Sequence, residues 1–229
     1  MTGTLINVAT VIFGSLIGLL LRSRLPDRII RIIFQVLGLF TIILGVSMAL
    51  KGENLLLVLF SIVSGGILGE LMRIEYHMEQ LSERVRKRLK GQHDKFTEGF
   101  ITAFLLFCVG PMATLGPIEE GLGQEPNLLL TKATLDGFSS ISLSAGFGLG
   151  VMMSAIPMAL LQGGLTLFAE FLQPILHEEL INEISSVGGI MLLGIGINIL
   201  EIKRLPIINL LPALLTVVAL FYALEWVSL

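Results

Sequence analysis

The sequence predicts an all-α polytopic membrane protein of about eight membrane segments, with an inverted three-span repeat and central broken or re-entrant helices. Three observations carry this. Charged residues are 14% of the chain and hydrophobic residues 54%, whereas soluble domains carry about 25% charged residues, and mean hydropathy is +0.87. Apolar runs near the length that crosses the hydrocarbon core, about 20 residues as a helix, recur from end to end. The third is the stretch Cys108–Ser140, where two Gly-Pro pairs (Gly110-Pro111, Gly116-Pro117) and the ionisable Glu119, Glu120, Lys132 and Asp136 interrupt the apolar pattern. Proline removes a backbone donor and disfavours helix just before it. Irregular backbone at membrane depth persists only beside protein or a water-filled cavity.

Leu5–Leu21 reads as the first span, retained because no Lys or Arg precedes it as in a signal peptide. Gly14 and Gly18 give it a small-residue face for close helix packing, and Asn7 reads as a capping or interhelical hydrogen bond. Arg22, Arg24, Arg28 and Arg31 follow against Asp27, which places that loop in the cytoplasm and the N-terminus outside. Ile32–Leu50 is the second span, Lys51-Gly52-Glu53 an outer turn, and Leu55–Met72 the third span. Glu70, near its cytoplasmic end, reads as an interfacial carboxylate.

From Arg73 to Lys95 the apolar residues Leu71, Ile74, Met78, Leu81, Val85 and Leu89 recur at steps of three and four. Seven basic residues, among them Arg84, Arg86, Lys87 and Arg88, occupy the other faces. A basic amphipathic helix on the inner leaflet fits, with anionic lipid as partner; a contact with a second copy in a homo-oligomer is the alternative. A nucleic-acid partner is excluded by how short and mixed in sign the block is. His77 and His93 have no companions at metal spacing.

Phe100–Met112 leads into the Gly-Pro pairs, Leu128–Ala145 is a less apolar segment, and Phe147–Leu172 is apolar but carries Pro157, Gln162, Gly163 and Gly164. Ile184–Leu200 and Ile207–Trp226 complete the set. If 128–145 and 147–172 cross separately, thirteen of the fifteen Lys and Arg fall in cytoplasmic segments and both termini lie outside. Gly38 and Gly45 then match Gly189 and Gly196 at one offset, as Ser47 matches Asn198, in spans that run in opposite directions. The expected organisation is 1–72 as one three-span repeat, 73–98 as the linker helix, 99–145 as a central broken segment, and 146–229 as the inverted repeat.

Lys132 and Asp136 are four apart and share a helix face. A carboxylate at that depth is either a working ion site or the structural partner of the lysine. Glu119 and Glu120 read either as a solvated outer loop or as part of the site, and Gln162 either as an interhelical hydrogen bond or as a lining group. No nucleophile–base set, zinc motif, phosphate loop or haem spacing is visible, so neither catalysis nor a cofactor or metal is expected. With only Cys108, no intrachain disulfide forms.

The segments Leu5–Ala9, Gly14–Gly18, Leu106-Phe-Cys-Val-Gly-Pro-Met112, Leu135-Asp-Gly-Phe-Ser-Ser140, Gly148–Val151 and Ser154–Pro157 to Gln162-Gly163 resemble the YdfK/YqgA family of multi-spanning prokaryotic membrane proteins, a domain-of-unknown-function family. The resemblance implies a bacterial cytoplasmic-membrane location and brings no site residues with it. The residues leave two functions open. One is a small secondary transporter or permease with a midplane site for a small solute or ion, built on Asp136, Lys132, Gln162, Gly110, Pro111, Gly116, Pro117, Glu119 and Glu120. The other is a non-transporting membrane scaffold or sensor whose basic linker reads lipid or a partner. A polar face continuing across 131–144 favours the first; a sealed ion pair with no cavity favours the second.

Overall fold

Long runs of Leu, Ile, Val, Ala and Gly, with backbone donors and acceptors paired inside each segment, favour helix over any other element in an apolar setting. The computed structural model describes residues 1–22, 26–77, 80, 95–109 and 111–227, and every regular element among them is helical. In chain order they are α1 (Thr2–Arg22), α2 (Asp27–Ala49), α3 (Leu55–Leu71), α4 (Phe96–Cys108), α5 (Pro111–Gly121), α6 (Asn127–Phe147), α7 (Leu149–Met153), α8 (Ala155–Leu167), α9 (Ala169–Leu172), α10 (Glu178–Ile199), a 3-10 turn (Ile207–Leu210) and α11 (Ala213–Val227). Residues 74–77 are also helical. The basic linker residues Arg84, Arg86, Lys87 and Arg88, and Gly110, lie outside the described residues.

Among the described residues, four helical stretches are long and apolar enough to cross a membrane: Thr2–Arg22, Leu149–Leu167, Glu178–Ile199 and Ile207–Glu225. Phe96–Cys108 and Met112–Gly121 would make a fifth as a pair bent by 54°. Phe34–Ala49 and Leu55–Leu71 are shorter apolar helices. α6 has 21 residues, but Lys132, Asp136 and its Ser and Thr side chains lower its hydropathy.

One local expectation changes. Gly116-Pro117 does not end a helix, because Pro117 lies inside α5, which continues to Gly121. The run 147–172 holds α7, α8 and α9, and Leu149–Leu167 within it is the stretch counted above as long enough to cross. Gly148 separates α6 from α7 at φ +83°, a conformation open to glycine at little cost.

The chain forms two compact units, one of Met1–Leu37 with Gln92–His177, the other of Gly38–Gly91 with Glu178–Leu229. In the first, α1 and α6 run side by side in the same direction: Gly3 faces Pro126 and Leu129, Gly14 faces Gly137 and Ser140, and Gly18 faces Ile141 and Ser144. Gly14 and Gly18 bring the backbones so close that a β-carbon at either would collide with a backbone carbonyl of α6. In the second unit the pairing is antiparallel. Gly38 meets Leu200 and Gly45 meets Gly189 across α2 and α10, while Gly65 meets Ala213 and Gly69 meets Asn209 at α3. The Glu183 carboxylate accepts from the backbone N–H groups of Glu53 and Asn54 (2.9 and 2.8 Å), tying α10 to the start of α3. Large apolar side chains such as Phe13, Leu20, Leu160, Phe171 and Leu215 point outward, whereas Asn7, Ser15, Ser140, Ser144 and Gln162 are buried. In water that distribution is costly; in lipid it is favourable.

Candidate functional site

α6 buries Lys132, Asp136, Ser140 and Ser144. The steps of four put them on one face over about 18 Å of helix. The matching stripe on α1 is Thr4, Asn7, Gly14, Ser15 and Gly18, all buried. The two stripes form a polar seam along the α1–α6 contact.

The seam centres on the ion pair. Lys132 Nζ donates to Asp136 Oδ2 at 2.5 Å, and both residues are 5% exposed. Asn7 Nδ2 donates to the same Oδ2 at 3.1 Å and to Gln162 Oε1 at 3.3 Å. Three helices, α1, α6 and α8, thus meet at the Asn7 amide. The ammonium lies 5.9 Å from the centre of the Phe107 ring on α4. Burial of two charges is tolerable because each neutralises the other and the remaining polar capacity is partly satisfied. Satisfaction is incomplete: Asn7 Oδ1, Gln162 Nε2, Ser15 Oγ, Ser144 Oγ and Thr102 Oγ1 are buried without a hydrogen-bond partner among the described residues.

A second carboxylate closes one end. Glu120, on the last turn of α5, accepts from Gly3 N (2.6 Å), Thr4 N (3.3 Å) and Thr4 Oγ1 (3.0 Å), and pairs with the Met1 ammonium at 3.1 Å. The N–H groups of a helix's first turn have no intrahelical partner and attract negative charge. Thr4 Oγ1 lies 3.3 Å from Thr166 Oγ1, which donates to the Gln162 carbonyl at 2.9 Å. Polar contacts therefore run from Glu120 through Thr4 and Thr166 to Gln162, and from Gln162 through Asn7 to Asp136.

Of the residues singled out from sequence, Lys132 and Asp136 meet directly, Gln162 joins them through Asn7, and Glu120 connects to Gln162 through the threonines. Glu119 is half-buried on α5 outside these contacts. Gly116 packs against Leu128 and Leu129, Pro111 begins α5, and Pro117 lies within it. Asn7, Thr4 and Thr166 are the polar contacts that sequence reasoning did not place at the site. The signal was the spacing Thr4, Asn7, Gly14, Gly18, which puts them on one face of α1.

A family model described as "Protein of unknown function (DUF554)" matches residues 2–222. The "Uncharacterized membrane protein YdfK" of Bacillus subtilis (strain 168) is 35% identical over 94% of this chain and 93% of its own. The "Uncharacterized protein YqgA" of Escherichia coli (strain K12) is 29% identical over 93% of each chain. No solved structure matches. With a family match over nearly its whole length and a membrane protein among its relatives, the chain belongs to the family of unknown function DUF554.

Proposed function

We propose that this protein is a small, non-enzymatic secondary transporter or permease whose ion or solute passes along the α1–α6 seam. The observation that carries the reading is the continuous buried polar face of Lys132, Asp136, Ser140 and Ser144, apposed to unpaired polar atoms on neighbouring helices. Purely structural packing in lipid needs small residues, not two charges and a row of unpartnered groups. Buried polar atoms without protein partners take up water or a bound solute. Asp136 would carry the coupling ion, Lys132 would hold the compensating charge, and Asn7 and Gln162 would line the path.

Eight crossings with both termini outside the cytoplasmic membrane agree with the distribution of Lys and Arg. The parallel α1–α6 pair and the antiparallel pairs of the second unit are the directions that count requires. The inverted repeat is supported by Gly38 and Gly45 packing on the helix that carries Gly189 and Gly196. The basic linker would rest on anionic lipid of the inner leaflet. The scaffold or sensor reading draws on one fact, that Lys132 and Asp136 are each only 5% exposed.

Proton flux into proteoliposomes separates the two. Under an imposed pH gradient and membrane potential, an interior dye should report flux through the wild type and none through Asp136→Asn, with that variant folded and monodisperse in detergent. Asn keeps size and much of the hydrogen bonding but cannot ionise. If Asp136→Asn unfolds and Asp136→Asn with Lys132→Met recovers, the pair is structural and the transporter reading loses its main residue.

A further inference from the structure

We infer that the second unit carries a headgroup site for a phosphoethanolamine lipid, where the end of α3 meets the segment leading to α11. The chain leaves α3 at Leu71 and turns through Arg73, whose φ of +51° is uncommon for a residue with a β-carbon. Sparsely populated conformations of this kind persist where the surroundings enforce them, often at ligand sites. The surroundings here are specific. Asn209, 5% exposed, donates through Nδ2 to Glu70 Oε2 (2.7 Å) and accepts at Oδ1 from Glu75 N (2.9 Å). Arg204 Nη2 reaches Glu75 Oε1 at 3.4 Å. Gly69 packs directly on the Asn209 carbonyl, so the two walls are held at backbone contact.

Between them lies an open surface pocket of about 420 Å³ lined by Glu70, Arg73, Glu75, Tyr76, Arg204 and Asn209. Two arginines and two glutamates line it, so a simple anion meets the glutamates and a simple cation meets the arginines. A zwitterion with phosphate and ammonium a few ångströms apart satisfies both. Arg73 has no side-chain hydrogen bond or ion pair among the described residues and presents a planar fork suited to phosphate oxygens. Glu70 spends one oxygen on Asn209 and retains the other for a primary ammonium. The side chains that adjoin the pocket in sequence, Leu68, Leu71 and Met72 before Arg73 and Ile202 before Arg204, are exposed and apolar. In a membrane protein such side chains meet acyl chains, which makes a lipid, rather than a free metabolite, the source of the group. The site does not depend on the transport reading, since none of its residues belongs to the α1–α6 seam.

The test is native mass spectrometry of the full chain in mild detergent with dioleoyl phosphatidylethanolamine, phosphatidylcholine and phosphatidylglycerol at equal concentration. Phosphatidylethanolamine should be retained about tenfold better than the other two, because loss of one charge-assisted hydrogen bond weakens binding by about that factor. Phosphatidylcholine keeps the phosphate but has no N–H for a carboxylate. Arg73→Gln should lower phosphatidylethanolamine retention about tenfold, Arg73→Lys less, and Glu70→Gln should bring it to the phosphatidylcholine level. Soluble phosphoethanolamine at the lipid's concentration should fail to displace it. Equal retention of the three lipids by the wild type overturns the proposal, as does unchanged retention in Arg73→Gln. Displacement by the soluble compound overturns the lipid as the source.

Discussion

Asp136 Oδ2 is the acceptor on which the first unit's polar contacts converge, receiving Lys132 Nζ and Asn7 Nδ2 together. Removing one partner of such a buried pair costs about 3–5 kcal/mol, whereas removing both leaves no charge to compensate. Lys132→Met alone should therefore melt lower in detergent than Lys132→Met with Asp136→Asn. Equal melting temperatures would mean the two charges are solvated independently. Asn7→Leu should cost about 1–3 kcal/mol, because Gln162 Oε1 and one position at Asp136 lose their donor inside the bundle. A denaturant titration by intrinsic fluorescence checks this, and an unchanged midpoint would show that Asn7 is not needed to satisfy the seam. At Glu120 the Gln variant keeps one acceptor oxygen, turns the other into an amide donor facing N–H groups, and gives up the charge facing the α1 first turn, the charge alone being an effect of about 0.3–1 kcal/mol.

At the scale of elements, the α1–α6 contact depends on absent side chains. Gly14→Leu would drive a β-carbon into Gly137 and Ser140, and overpacking of this kind costs about 1–3 kcal/mol or more. Gly164 on α8 is the control, since a β-carbon there meets nothing within 4 Å. Gly164→Ala should be neutral or gain about 0.5–1 kcal/mol from helix propensity. Melting curves of the two variants that shifted alike would show that the α1–α6 approach is looser than described. The pairing of α1 with α6 was not legible beforehand: GxxxG announces close packing but does not name the partner. The Gly-Pro pairs show the same limit. Gly116-Pro117 reads as a break, yet α5 continues through it. Proline removes one bond and one donor; whether a helix survives that loss depends on what packs around it.

For the whole molecule, the charge rule makes the sharpest claim. Reporter fusions after Leu50, after Gly123 and at the C-terminus should report outside, and fusions near Lys90 and after Arg204 should report inside. A C-terminus reporting inside would remove the eight-crossing count and, with it, the inversion of the repeat. The parallel course of α1 and α6 makes one further demand: fusions at the N-terminus and after Gly123 must report the same side.

The sequence alone determined the class of this protein. A chain with 14% charged residues and 54% hydrophobic ones, whose apolar runs approach the roughly 20 residues of a spanning helix rather than the roughly 10 of a barrel strand, pairs its backbone groups in lipid within helices. It also determined that Lys132 and Asp136 share a face, because a spacing of four is local helical geometry. What needed tertiary structure was everything set by contact between distant segments. Asn7, Gln162 and Asp136 meet although 129 positions separate the first from the last. Glu120 is held by the α1 first turn, and Asn209 bridges Glu70 and Glu75 across a similar gap. Polar residues in an apolar run signal that a partner exists, but the partner's identity is decided by which helices the small residues allow to approach, and that is a property of the packed bundle.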